Sequence, residues 1–289
     1  MHYTGNIIRP PSEANSIILQ VTTGCSHNKC TFCGAYKEQP FTIKDYGIVK
    51  QDLEFASNHC KNQKRLFLAD GDVLILPLKK LITLLSDIKR TLPWVNKVSL
   101  YGSAKAIRSK SLTDLQELKA LGLDRIYMGL ESGCDEVLQM VKKNETSTSM
   151  IESGQRVRTA GLFLSVTVLL GLGGIQLSKQ HAFQTATTLN RMQPNQIAVL
   201  TLMILENTPL AQNITDGSFS LVSPIDILKE LYHLLENLNG LRCQFHANHA
   251  SSYLPLAGRL PKDQTPLLEQ ISKAIKGSIE TVPEYRRAL

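Results

Sequence analysis

No uninterrupted apolar run in this 289-residue sequence reaches the roughly 20 residues that a bilayer-spanning helix needs. Its start, MHYTGNIIRPPSEANS, carries neither the basic segment nor the apolar core of an export leader. These two absences set the expectation of a cytoplasmic protein with no membrane partner. There is also no long Pro/Gly/Ser tract and no block of like charge. With 43% hydrophobic and 20% charged residues, the composition excludes a disordered chain and gives an ordinary globular one. A disulfide framework is missing too: Cys60, Cys134 and Cys243 stand alone and far apart, as reduced thiols do in a large cytosolic chain. The 32 basic and 25 acidic side chains leave a net +7. The basic residues fall in scattered doublets such as Lys79 with Lys80 and Arg286 with Arg287, so the excess permits a polyanionic partner such as RNA without requiring one.

What is present is an alternation of short β-rich apolar runs with longer amphipathic stretches, the pattern of repeated βα units around a parallel sheet. The runs at 16–22, 65–70, 97–102, 125–131, 162–171 and 196–204 predict six strands. Apolar residues at helical spacing predict helices over 43–60, 77–92, 111–121, 146–160 and 178–192. Pro77, Ser111 and Thr113 serve as start signals, and Gly122 and Gly161 as stops. The run Phe163 to Leu170 is apolar throughout, which a strand covered on both faces requires. After about residue 205 the rhythm changes to a turn-rich stretch over 206–223, a helix over 224–238, a strand over 241–247 and a helix over 264–279. The expected organisation is an N-terminal segment (1–15), an α/β barrel (16–205) and a C-terminal extension packed on it (206–289).

Three of the six cysteines, Cys25, Cys30 and Cys33, fall within CSHNKCTFC, on the loop leaving the first strand. That end of a parallel barrel is where catalytic loops converge. Three thiolates with no fourth nearby can hold a four-iron cluster while one iron keeps an open position. His27 could complete a Cys3His zinc set, but structural zinc sites pair two short knuckles and only Cys30 with Cys33 forms one. Three buried structural cysteines have little support in so polar a loop.

This C-x4-C-x2-C loop, with aromatic Phe32 before the last cysteine, resembles the cluster loop of the radical S-adenosylmethionine (radical SAM) enzymes. Their commonest spacing has a first gap of three residues; here it is four. The resemblance implies a partial (β/α)6 TIM-like barrel, a [4Fe-4S] cluster on Cys25, Cys30 and Cys33, and S-adenosyl-L-methionine as cofactor. It places Asp70, Gly71 and Asp72, in LADGD after the second strand, at the methionine amino group. Strand-end position assigns Ser103 and Lys105 to the methionine carboxylate, and Glu131 and Ser132 to the ribose or the sulfonium side. Gly171, in LLGLGG, would lie against the adenine. Reductive cleavage of the cofactor would give a 5'-deoxyadenosyl radical that abstracts hydrogen from the substrate, with flavodoxin or ferredoxin as electron donor.

Substrate contacts are expected from Tyr36 and Lys37 beside the cluster loop and from the polar stretch 245–261, which holds His246, Asn248, His249, Ser251, Ser252 and Tyr253. Cys60, Cys134 and Cys243 cannot supply the four thiolates of a second cluster. The expected activity is therefore that of an oxidoreductase or transferase acting on a small molecule. The GLESG strand and the C-terminal extension resemble the coproporphyrinogen-dehydrogenase-like branch. An RNA-modifying enzyme and a non-catalytic iron-sulfur or zinc protein are the alternatives.

Overall fold

The computed structural model describes residues 1–288. The chain folds into two compact units. The first comprises residues 1–28, 35–128 and 156–164; the second comprises 29–34, 129–155 and 165 onward.

In the first unit, β1 (Ile17–Gln20) is followed by the two-residue strands β2 (Thr22–Thr23) and β3 (Thr42–Ile43), which pair antiparallel with each other. Next come β4 (Arg65–Ala69), β5 (Lys97–Tyr101) and β6 (Leu123–Glu131), whose last three residues belong to the second unit. Strands β1, β4, β5 and β6 pair in parallel, with Leu19 opposite Leu68, Phe67 opposite Ser99 and Leu100 opposite Ile126. Helices α1 (Tyr46–His59), α2 (Leu78–Thr91), α3 (Ala104–Arg108) and α4 (Leu112–Ala120) connect them. Local chemistry fixes their starts. Asp45 accepts from the backbone N–H of Gly47 and Ile48, and Ser111 with Asp114 forms a capping box. On one face of this sheet Phe67, Tyr101 and Tyr127 meet edge to face, with ring centroids 5.2 to 6.1 Å apart.

The N-terminal segment is part of this unit. Glu13 is wholly buried, accepting from Tyr127 Oη at 2.6 Å and from Arg65 at 2.8 Å. The buried Gln20 side chain pairs with both backbone groups of Thr4 at 2.9 Å.

In the second unit the helices α5 (Asp135–Met140) and α6 (Ser147–Thr159, ending in the first unit) precede β7 (Phe163–Leu170), which begins in the first unit. Then follow α7 (Gly174–Met192), β8 (Gln196–Thr201), α8 (Pro209–Thr215), α9 (Pro224–Glu236), β9 (Cys243–Ala247), β10 (Leu256–Leu260) and α10 (Gln264–Ile275). β7, β8 and β9 are parallel; β10 returns antiparallel to β9. Helix α9 packs against both α7 and α10. The core side chains of β7, from Leu164 to Leu170, are buried on both faces of the strand apart from Thr167, each buried Leu contributing roughly 1.5–3 kcal/mol.

The strand order of the main sheet is β1-β4-β5-β6-β7-β8-β9-β10, mostly parallel and not closed. This is the partial, TIM-like α/β architecture expected. Three features depart from the sequence reading. Strand β10 lies inside the polar stretch 245–261, where the sequence predicts no strand beyond residue 247. Its sequence LAGRL lacks β-branched residues, so propensity does not reveal it. Its Gly258 is needed because a Cβ there would come 2.9 Å from Asp263 Cβ and 3.0 Å from Leu267 Cδ1. Helix α8 emerges from the turn-rich 206–223, started by Thr208, which caps Ala211 N–H, and Pro209. The short helices α3 and α5 were not anticipated, because six residues or fewer are too short to show periodicity.

Candidate functional site

In the first unit, β1 delivers the chain to Cys25 and β4 delivers it to the turn Asp70–Asp72. The two segments touch. Gly71 N–H donates to Gly24 O at 3.2 Å. A Cβ on Gly71 would lie 2.8 Å from Tyr36 Cε2, 3.0 Å from Gly24 O and 3.2 Å from Cys25 Cβ. Only glycine lets the turn back onto the cysteine loop this closely.

Both acids of the turn are buried, and each accepts from three donors. Asp70 accepts from Tyr36 Oη at 2.5 Å and from Gln20 Nε2 at 3.3 Å, and its carboxylate also takes the backbone N–H of Ile8. Burial pushes its carboxyl above the usual range and these hydrogen bonds pull it back. Asp72 accepts from Ser103 N at 2.9 Å, from Ser103 Oγ at 2.8 Å and from the Ser26 hydroxyl. Burial raises it too, against these bonds and the charge of Lys110. Lys110 is itself buried, which lowers its pKa. Asp72 thus binds the residue next to Cys25, and Asp70 binds Tyr36, just beyond the cysteines. The Tyr36 phenol is raised first by its own burial and then by the charge of Asp70 and the hydrogen bond to it. Ser103 serves as N-cap of α3, accepting from Ala106 N–H at 3.1 Å; Lys105 is exposed on that helix.

The second unit holds the other part of the cysteine loop, residues 29–34. Thr31 stitches it down: its N–H donates to Val141 O at 3.0 Å, and Leu210 N–H donates to its carbonyl at 3.0 Å. Phe32 packs against an apolar cluster that includes Cys134, Val141, Leu202 and Phe219. Gly34 O accepts from Asn207 Nδ2 at 3.2 Å. At the end of β6, Glu131 has a left-handed backbone (φ 63°) and accepts from Lys143 Nζ at 3.1 Å. Ser132 turns inward. It is fully buried, its hydroxyl 2.8 Å from His181 Nδ1 and accepting from Cys134 N–H at 2.9 Å. Gly171, left-handed at φ 81°, follows β7.

The residues expected to meet substrate are divided. Tyr36 is buried and donates to Asp70. Lys37 Nζ donates to Asn28 O at 3.1 Å. His246 is half-buried on β9, in register with Ala198 and Ala257. Asn248 is exposed. His249 Nδ1 accepts Ser251 N–H at 3.1 Å, and burial lowers its pKa. Ser251 and Tyr253 are bound by the chain's C-terminal segment. Arg287 Nε donates to Ser251 O at 2.8 Å, and its guanidinium lies 4.0 Å over the Tyr253 ring. Tyr253 Oη donates to Glu284 at 2.6 Å.

Sequence reasoning missed Gln20, Ser26 and Lys110 in the first unit and His181, Glu230 and Arg287 in the second. Two of these had a signal. Glu230 occupies the apolar stripe of α9 with Ile227, Leu231 and Leu234, and His181 that of α7 with Ala182, Thr185 and Leu189; a polar residue in a buried stripe needs a partner.

The radical SAM superfamily profile matches residues 19–185, more than half of the chain, and the chain belongs to that superfamily. Its chemistry is radical cleavage of S-adenosylmethionine, and its cofactors are a [4Fe-4S] cluster and S-adenosylmethionine. No curated protein sequence matches the chain. Solved structures share the fold at low identity. The cobalamin-dependent S-adenosylmethionine radical enzyme OxsB is 15% identical, with TM-score 0.58 over 91% of this chain and 46% of that one. Coproporphyrinogen III oxidase from Escherichia coli is 18% identical, with TM-score 0.57 over 77% of this chain and 52% of that one. Methylornithine synthase is 12% identical, with TM-score 0.52 over 91% and 85%. The chain spans about half the length, or less, of the first three such structures.

The chain's own donors fit the cluster in kind. Cys25, Cys30 and Cys33 are partly exposed, and none of the six cysteines is in a disulfide. Cys134 and Cys243 are buried, and burial pushes the Cys243 thiol up to about 12, so it stays protonated. Thr31 Oγ1, beside Cys30, is buried with no hydrogen-bond partner in the chain, a donor that a sulfide-rich neighbour would satisfy. Among the described residues no three His, Cys, Asp or Glu side chains are gathered in a metal-binding arrangement. The fit therefore rests on donor type and loop spacing. Among them, too, no helix is long and apolar enough to cross a membrane.

Proposed function

We propose that the protein is a radical SAM enzyme acting by hydrogen abstraction on a small molecule, with Cys25, Cys30 and Cys33 as the three cluster ligands. One observation carries the reading: the cysteine loop is braced from behind by a turn whose glycine and two acids serve that loop. Cluster and S-adenosylmethionine, when bound, supply a 5'-deoxyadenosyl radical that takes hydrogen from the substrate; the protein's part is to hold and shield them. Asp72 fixes Ser26 beside Cys25, Asp70 fixes Tyr36, and Gly71 keeps the turn close. Because both carboxylates are buried and already engaged by three neighbouring donors each, the turn offers a methionine ammonium its backbone carbonyls, with Asp70 and Asp72 adding negative charge nearby. Ser103, Lys105, Glu131 and Gly171 remain candidates for the rest of the cofactor; Ser132 is the weakest, since its hydroxyl is already occupied. Scattered basic doublets, not a patch, support a small substrate over RNA. A low-potential donor such as flavodoxin or ferredoxin would reduce the cluster.

The test is anaerobic purification with iron reconstitution. A brown protein with about four irons per chain that releases 5'-deoxyadenosine from S-adenosylmethionine under dithionite supports the proposal. A colourless zinc protein that releases none would end it. Deuterium transfer from candidate metabolites into 5'-deoxyadenosine then identifies the substrate.

A further inference from the structure

The turn that leaves β7 is held by a side chain from 59 residues further along the chain. Glu230, on α9, is 1% exposed. Its Oε1 accepts Gly171 N–H at 2.7 Å, and its Oε2 accepts the Ser178 hydroxyl. His181 Nε2 lies 3.5 Å from the same Oε1 and 3.2 Å from Leu169 O. With two acceptors facing Nε2, the ring proton resides there, and Nδ1 is left to accept from Ser132 Oγ at 2.8 Å. Ser132 in turn accepts from Cys134 N–H, while Gly133 N–H donates to Thr185 Oγ1 at 2.8 Å. These contacts tie the turns after β6 and β7 to α7 and α9 within the same unit.

The position has no packing reason to be acidic. Its stripe neighbours are Ile227, Leu231 and Leu234, and a leucine would fill it without burying a carboxylate. What a leucine would leave behind is an unpaired backbone N–H on Gly171, whose left-handed conformation already marks the turn as special. The carboxylate therefore answers a need of the turn and not of the helix.

We infer that Glu230 is the positioning residue of the cofactor site's second half: by holding Gly171 and, through His181, Ser132, it sets the two strand-end turns that receive the S-adenosyl group. The inference rests on the cofactor reading above and adds to it a residue from the C-terminal region. Burial raises the Glu230 carboxyl to about 7 and lowers His181 to about 4, so the imidazole stays neutral and keeps the direction of its hydrogen bonds.

Two reciprocal substitutions test it in the anaerobically reconstituted protein. Glu230→Gln keeps the reach and the acceptor but loses the charge; Glu230→Asp keeps the charge but withdraws the acceptor from Gly171. Binding of S-adenosylmethionine is measured by equilibrium dialysis with labelled cofactor. Amide exchange is followed in the cofactor-free protein over residues 129–136 and 165–178. Expected for Glu230→Asp is binding weakened about tenfold, the loss of one buried hydrogen bond, with faster exchange in both turns and unchanged iron content. Glu230→Gln should bind within about threefold of wild type. Glu236→Ala, on the exposed side of the same helix, is the control and should change nothing. Should Glu230→Asp bind and exchange like wild type, or Glu230→Gln prove the worse of the two, the inference is overturned. If wild type itself binds no S-adenosylmethionine, the cofactor reading fails first, a distinct outcome that removes the inference with it.

Discussion

The turn after β4 and the turn after β7 meet the same requirement by opposite means. Each is a glycine-containing bend at the end of a parallel strand, where backbone N–H groups lose their ladder partners. After β4 the acids stand on the turn itself: Asp70 and Asp72 gather Tyr36, Gln20, Ser26 and Ser103 around Gly71. After β7 the turn is only backbone and glycine, and its acceptor arrives from Glu230 on α9. A self-sufficient turn can be read from a few adjacent residues. A turn served from a distance cannot, since its acceptor stands 59 residues further along the chain.

The comparison can be broken at several points. The largest effect belongs to the cysteine loop that the β4 turn supports. Cys25→Ala, Cys30→Ala and Cys33→Ala are each expected to abolish cluster assembly, read as iron content and electron paramagnetic resonance of the reduced protein. Cys60→Ala and Cys243→Ala should assemble normally. A dispensable member of the first three would remove the ligand assignment.

Next is Asp72→Ala, which takes the acceptor from the half-buried N–H and hydroxyl of Ser103, while the hydroxyl of the exposed Ser26 can turn to water. The expected loss is about 1–3 kcal/mol of unfolding free energy, measured by denaturant titration of the cluster-free protein. A loss under about 1 kcal/mol would show that the turn does not depend on its own acids.

A pH effect separates the two turns further. The Glu230 carboxyl moves from 4.5 to about 7 in the fold, so its folded-state pKa is raised. Its contribution to stability is complete below pH 4.5 and is lost as pH rises to about 7, because ionisation costs more in the buried site than in the unfolded chain. His181, which faces it, stays neutral across this window, its own pKa lying at about 4. Between pH 5 and 8 the wild type should therefore lose about 2–3 kcal/mol relative to Glu230→Gln. A difference that is flat with pH would place Glu230 in a more polar setting than the structure shows.

The smallest effect is next door on the same helix. Lys229 pairs with Asp226 at 2.8 Å, both about half exposed. Lys229→Ala should shift stability by less than about 0.5 kcal/mol, visible as a nearly unchanged melting temperature. A larger shift would mean that exposure on α9 is a poor guide to what its residues do.

Much of the fold was legible in advance because its cause is local. Alternating apolar runs and amphipathic stretches reveal parallel βα units, and β7 shows its double burial in an unbroken apolar sequence. Strand β10 escaped notice because an edge strand of Leu, Ala, Gly and Arg has no pattern of its own and exists only by pairing with β9. The polar residues of 248–253 read as a ligand-facing loop, whereas Arg287 and Glu284 from the C-terminal segment occupy Ser251 O and the Tyr253 hydroxyl. No local rule could supply those partners.

The sequence by itself determined the cysteine spacing, the bend with its two acids and the βα rhythm, since each follows from residues within a few positions of one another. Only the tertiary structure decided that both acids of LADGD face the protein's own donors, that Ser132 turns inward to His181, and that Glu230 completes the bend after β7. Those outcomes depend on contacts between residues some 30 to 60 positions apart, which come together only when burial makes an unpaired donor or acceptor too costly to leave.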